Sequence, residues 1–163
     1  MKLSPNQIQR ELREIAEAHL QINSFTWGDL SIALGQKVIH YPLMHCYLQS
    51  GGNFNNNTTD TSIVIEMYDI TYKDSDNMDD VLSDTKQILR DVYQVINKST
   101  RWKRFGSVIS ASNQKYKWEA HDDIAGYSQN IMFKLRDFSG VCDLPMQDYD
   151  FGGDSPSASC PDV

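Results

Sequence analysis

The chain reads as an α+β protein: a mostly antiparallel sheet packed by one long central helix and an N-terminal helix. Three observations predict this. Thr61 to Ile70 is β-branched or apolar at most positions and lacks Gly and Pro, the composition of a strand. From Asn77 to Lys98 the apolar residues Val81, Leu82, Ile88, Leu89, Val92, Val95 and Ile96 recur at spacings of three and four, one stripe of a helix. After that helix, Ser107 to Trp118 and Tyr127 to Phe138 read as two further strands. The long helix cannot stand alone, because burial of its stripe is what offsets the entropy of ordering it, so it must lie on the sheet. Residues 1–138 are expected to form a single domain, and residues 139–163 an acidic C-terminal extension.

With 163 residues, 40% hydrophobic and 10% aromatic, the chain has enough apolar material for one core. Its formal charge of −7 argues against a general binder of nucleic acid or of anionic membranes. No apolar run approaches a membrane span, and the polar stretch from Met1 to Glu14 does not read as a signal peptide. Cys46, Cys142 and Cys160 are odd in number and widely spaced, neither a disulfide framework nor a zinc signature. A product of a reducing cytoplasm is expected.

Taken in order, Ser4, Pro5 and Gln7 carry the marks of a helix start: a cap, a proline at the first helical position and a capping box. The stripe that follows is Ile8, Leu12, Ile15, His19 and Ile22, with Glu11, Arg13, Glu14 and Glu17 on the solvent side. His19 then sits near the helix C-terminus. Phe25, Trp27 and Leu30 alternate around Gly28 and Asp29, as a short strand or an arm. Val38 to Gln49 looks extended, with Pro42 marking a strand start or an edge. His40, His45 and Cys46 lie within it, but no second pair completes a tetrahedral metal set.

Ser50 to Asp60, with Gly51, Gly52 and four asparagines, reads as a long polar hairpin tip. It is either only mobile or reaches a neighbour, through Asn53, Asn55 and Asn57. Ile63, Ile65 and Met67 fall on one face of the next strand. Val64, Glu66, Tyr68 and Ile70 fall on the other, so both faces are expected to be partly covered. Asn77 is a good helix cap, and Asp79 and Asp80 suit the positive end of the dipole.

Arg101, Trp102, Lys103 and Arg104 form the one basic cluster, which reads as a loop or, in a minority reading, as a phosphate-and-stacking contact to DNA. His121, Asp122 and Asp123 read as a solvated link between strands. After Arg136 the chain has no Lys or Arg but carries Asp137, Asp143, Asp148, Asp150, Asp154 and Asp162. That composition predicts disorder when alone. A segment that cannot make its own core takes order from a partner, which makes Asp148, Tyr149 and Phe151 candidate contacts.

No Gly-rich phosphate loop, nucleophile elbow or H-E-x-x-H pair is present. An enzyme is not expected, nor a cofactor or a bound metal.

Two segments carry a more specific likeness. One is Ile65-Glu66-Met67-Tyr68-Asp69-Ile70 through Asp76-Asn77 to Val81-Leu82-Ser83-Asp84-Thr85 and Ile88-Leu89-Arg90-Asp91. The other is Asp122-Asp123-Ile124-Ala125-Gly126-Tyr127 and, after a strand, Gly140-Val141-Cys142-Asp143-Leu144-Pro145. Together, across roughly residues 60–145, the chain resembles small neck proteins of tailed bacteriophages of the crass-like type. Those are similar to tail-terminator or tail-completion proteins. The resemblance implies a tail-terminator-like fold and a virion structural role as subunit of a homo-oligomeric ring of six or twelve copies. It also implies portal, neck and tail proteins as partners, DNA only in passage, no membrane, and synthesis in the host cytoplasm. The alternative from another class is a nucleic-acid-binding accessory protein using Arg101 to Arg104 with Lys115 and Lys117. A hydrolase around His121 and Asp122 has the least support.

Overall fold

The computed structural model describes residues 5–36, 38–49, 54–55, 58–72, 76–103, 107–118 and 123–136. The elements are α1 (Pro5–Ala18), β1 (Ser24–Trp27), α2 (Leu30–Gln36), β2 (Leu43–Gln49), β3 (Phe54–Asn55), β4 (Thr58–Ile70), α3 (Met78–Lys98), α4 (Thr100–Lys103), β5 (Ser107–Trp118) and β6 (Ile124–Arg136). The architecture is α+β with a mixed sheet, its strands in the order β1-β2-β4-β6-β5, with β3 adding to β4. β1 runs parallel to β2, and the other pairs are antiparallel.

β4 sits between β2 and β6 and is paired to β6 along its whole length, from Thr58 opposite Arg136 to Ile70 opposite Ile124. Its side chains alternate as expected. Ile63, Ile65 and Met67 are at most 1% exposed and enter the main core with Ile8, Leu12 and Ala16 of α1 and Ile88, Leu89, Val92 and Ile96 of α3. Val64 and Tyr68 are buried on the opposite face, where Tyr68 joins Leu43 and Ile124 beneath Leu30. Both helices therefore cover one face, while α2 covers only one end of the other. Two cations reinforce the first layer: Arg13 lies 5.4 Å from the centre of the Phe25 ring, and Lys86 lies 5.6 Å from that of Tyr127.

Several expectations change. The stripe of α1 is rotated: Glu11, expected in solvent, is 2% exposed, and Ala16 rather than His19 continues the buried face. Val95 of α3 is exposed, and Thr85 takes a core position by bonding its hydroxyl back to the Val81 carbonyl at 2.7 Å. Asn77 does not cap α3 through its side chain. It accepts from the Tyr72 amide at 2.8 Å and donates to the Ile70 carbonyl at 3.1 Å, tying the turn to the end of β4.

Leu30 is not part of a strand but opens α2. The helix was hidden because it has only seven residues, too few for a periodic signal, yet Asp29 caps it by accepting from the Ser31 amide at 2.8 Å. The extended stretch from Val38 contracts to a strand beginning at Leu43, with Pro42 just before it. The polar tip shortens too, since β3 pairs with β4 at Phe54–Thr59 and Asn55–Thr58. Its Asn53 and Asn57 lie outside the described residues. β6 begins at Ile124 rather than Tyr127, and the Asp123 carbonyl accepts from both the amide and the hydroxyl of Thr71.

The described part of the basic cluster, Arg101 to Lys103, is not a loop: Thr100–Lys103 is the short helix α4, and Trp102 is 3% exposed, stacked on Phe133 at 5.8 Å. Trp102→Ala is expected to cost about 3–5 kcal/mol, since it empties a core position. A chemical-denaturation series on wild type and variant checks this; a loss below about 1 kcal/mol would show that the ring contributes little to the core.

Candidate functional site

On the sheet face away from α1 and α3, the register aligns five polar residues in one row across the sheet. Thr26 of β1 is opposite His45 of β2, His45 opposite Glu66 of β4, Glu66 opposite Ser128 of β6, and Ser128 opposite Gln114 of β5. The pleat puts Tyr47 and Tyr68 on the same face, one step to either side. A second polar group continues the face, where Asn130 donates to Gln49 Oε1 at 2.7 Å and the Ser62 hydroxyl reaches the same oxygen at 3.3 Å.

The centre of the row is nearly dry. Thr26, His45 and Glu66 are 5%, 1% and 8% exposed. His45 Nδ1 lies 2.8 Å from the Thr26 hydroxyl, and the ring also hydrogen-bonds to the backbone of Gly28. Burial pushes the imidazole down to about 4, outweighing the opposing pull of the Gly28 bond and the Asp29 charge, so the ring is neutral at pH 7. Glu66 accepts from the Tyr68 hydroxyl at 2.9 Å and more loosely from Tyr47 at 3.4 Å. Tyr47 is raised above the ordinary phenol value, first by burial and then by the Glu66 charge.

His45, Tyr47, Glu66 and Tyr68 line a cavity of about 510 Å³ between the sheet and the β1–α2 turn, with Asp29 and Ser31 at the turn. Asp29 is held below the usual carboxylate value by bonds from the Ser31 hydroxyl and the amides of Ile32 and Ser31. Gly28, at φ +98°, makes the turn in a conformation open chiefly to glycine. The cavity thus joins two carboxylates, two phenols and a neutral imidazole.

Elsewhere the anticipated residues separate. His45 and Cys46 face opposite sides of β2: Cys46 belongs to the main core, where burial drives its thiol well up. His40 is exposed and precedes the strand. Arg101, offered as a DNA contact, is spent within the fold. Its Nε lies 2.6 Å from Glu11 Oε2, and Nη2 donates to Glu11 Oε1 at 3.0 Å and to Glu14. With Trp102 in the core, only Lys103 of the described cluster residues projects freely. Of the residues that the DNA reading used, Arg101 is engaged in a clamp between α4 and α1, and Trp102 is packed in the core. Arg104, His121, Asp122, Asp148, Tyr149 and Phe151 lie outside the described residues, while Asn55 falls in β3.

The His45–Glu66 pairing escaped the sequence reading because the two residues are 21 positions apart and meet only through strand register. The available signal was a glutamate in the middle of an otherwise apolar strand. No family model matches the chain, and no curated protein is detectably similar to it.

His45 makes stability pH-dependent with a definite sign. An unfolded imidazole titrates near 6.5 and the folded one near 4, so between those values the unfolded chain takes up a proton that the folded chain refuses. The stabilisation is complete above about pH 6.5 and is lost as pH falls toward 4, by about 3 kcal/mol in all. The difference in unfolding free energy between wild type and His45→Gln, measured from pH 7.5 to 4, should shrink over that window. A constant difference would contradict it. Arg101→Ala should lower the thermal midpoint more than Lys103→Ala, because it strands the buried Glu11 carboxylate.

Proposed function

We propose that this chain is a virion structural protein, a subunit of an oligomeric ring of six or twelve copies in the head-to-tail connector of a tailed phage. In this reading the fold is of the tail-terminator kind, a mostly antiparallel sheet built on one long central helix. DNA passes through the ring without being held.

The observation that carries the reading is the exposed architecture of the sheet. β4 and β6 have 13 residues each, about 44 Å of strand, whereas the 21 residues of α3 span about 31 Å. The sheet therefore outruns its long helix at the end where β3 adds to β4 and three further pairs, Asp60–Lys134 to Thr58–Arg136, extend past Phe133. At the other margin, β5 presents a 12-residue outer edge with no strand beside it among the described residues. Such an edge is a template for pairing with another chain. A closed ring needs two different surfaces that fit each other, and a projecting hairpin and a long open edge are candidates for the two halves.

The charge suits a bore. Six copies at −7 each carry 6 × −7 = −42, which around a channel repels the DNA backbone and limits sticking.

Quantitative mass spectrometry of purified particles should find the chain at six or twelve copies, and axial averaging of particle micrographs should place it in the neck. Its absence from the particles would overturn the reading.

A further inference from the structure

The cavity bounded by Asp29, His45, Tyr47, Glu66 and Tyr68 has a charge balance that asks for a particular ligand. Glu66 is 8% exposed, and among the described residues no lysine, arginine or histidine nitrogen lies within ion-pair distance of it. Two phenol hydroxyls serve it, one at 2.9 Å and one only at 3.4 Å. A carboxylate has about four lone-pair sites, so acceptor capacity is left over. His45 does not neutralise it: its ring is bonded to Thr26 and the Gly28 backbone and carries no charge at pH 7. Asp29 adds a second negative charge, its Oδ1 occupied by the start of α2. The walls are π-faced, with the rings of His45 and Tyr47 5.7 Å apart.

We propose that this cavity is a binding site for an organic cation with a guanidinium or ammonium head, received by Glu66 and packed against Tyr47. A buried carboxylate without a cation, beside aromatic faces, is the complement of such a head: hydrogen-bond donors meet the carboxylate and the charge meets the ring. A guanidinium fits best, because it is planar, forks onto a carboxylate and stacks. At about 510 Å³ the cavity has room for a small amine or for the end of an arginine side chain from another molecule. An anion is excluded by the two carboxylates. The site lies on the face of the sheet and uses neither the β5 edge nor the hairpin, so its binding of a cation is tested apart from the ring reading.

Titration of the full chain with methylguanidinium chloride, followed by calorimetry against equal sodium chloride, should give saturable binding in the millimolar range. Glu66→Gln keeps the shape and removes the charge, and should weaken binding roughly tenfold or more. Tyr47→Leu keeps the charge and removes the π face, and should weaken it several-fold. Glu17→Gln, on the exposed side of α1, should bind as wild type does. A second arm identifies the source of the cation. If the natural occupant is an arginine of another copy, saturating methylguanidinium lowers the sedimentation mass of wild type, and Glu66→Gln already has the lower mass. If it is a free small molecule, the mass is unchanged while binding persists. Absence of saturable binding to wild type, or equal affinity in a folded Glu66→Gln, would overturn the proposal.

Discussion

Everything in this fold follows from β4 having a neighbour on each side and a cover on each face. A strand so placed cannot show water a simple alternation of apolar and polar residues. Ile63, Ile65 and Met67 must meet helices, and Val64 and Tyr68 must also be dry. The helix layer meets the first demand with α1 and α3, and the Arg101 clamp then holds α4 against α1 so that Trp102 can close the core over Phe133. The second demand is met only in part. α2 and the segment before β2 cover Leu43, Tyr68 and Ile124, and the rest of that face is filled by polar side chains bonding to one another.

That difference between faces explains where the chemistry lies. A purely apolar cover needs little more than volume. A polar row buried at a sheet's centre needs each donor and acceptor matched, because an unmatched group there costs as much as a lost hydrogen bond. Thr26 serves His45, and two tyrosines serve Glu66, leaving the glutamate with its charge and without a counter-ion among the described residues. A site with spare capacity is thus the remainder of an otherwise satisfied network.

How much of this was legible depended on the range of the signal. β4 and α3 each announce themselves within a dozen residues, through period two and period 3.6, and both emerged close to the expected boundaries. The strand pair read at 107–118 and 127–138 was visible for the same reason, although the second strand begins three residues earlier, at Ile124. What was hidden was either short or non-local. α2 has seven residues and a single capping aspartate as its sign. Glu11 looked like any solvent-side glutamate until Arg101, 90 positions later, was brought to it. The same long-range pairing turned a basic cluster into a structural clamp. Row by row, the polar site depends on register among five strands, which no local window contains.

The separation between edge and face also limits how the two proposed roles, assembly and cation binding, can interfere. Pairing along β5 would engage backbone groups at the margin of the sheet, where side-chain identity matters little. The Glu66 carboxylate lies two strands away, on β4 beyond β6, and its cavity is lined by side chains of β2 and β4. A substitution at Glu66 leaves the hydrogen-bonding edge of β5 intact, and a change at the edge leaves the carboxylate and its phenols in place. Coupling between them has to travel through β4 itself, whose thirteen paired residues tie it to β6 along its full length. A strand held that tightly transmits a rigid displacement far better than a local one. An occupant of the cavity would therefore influence assembly by adding a contact there, with the sheet as its fixed support.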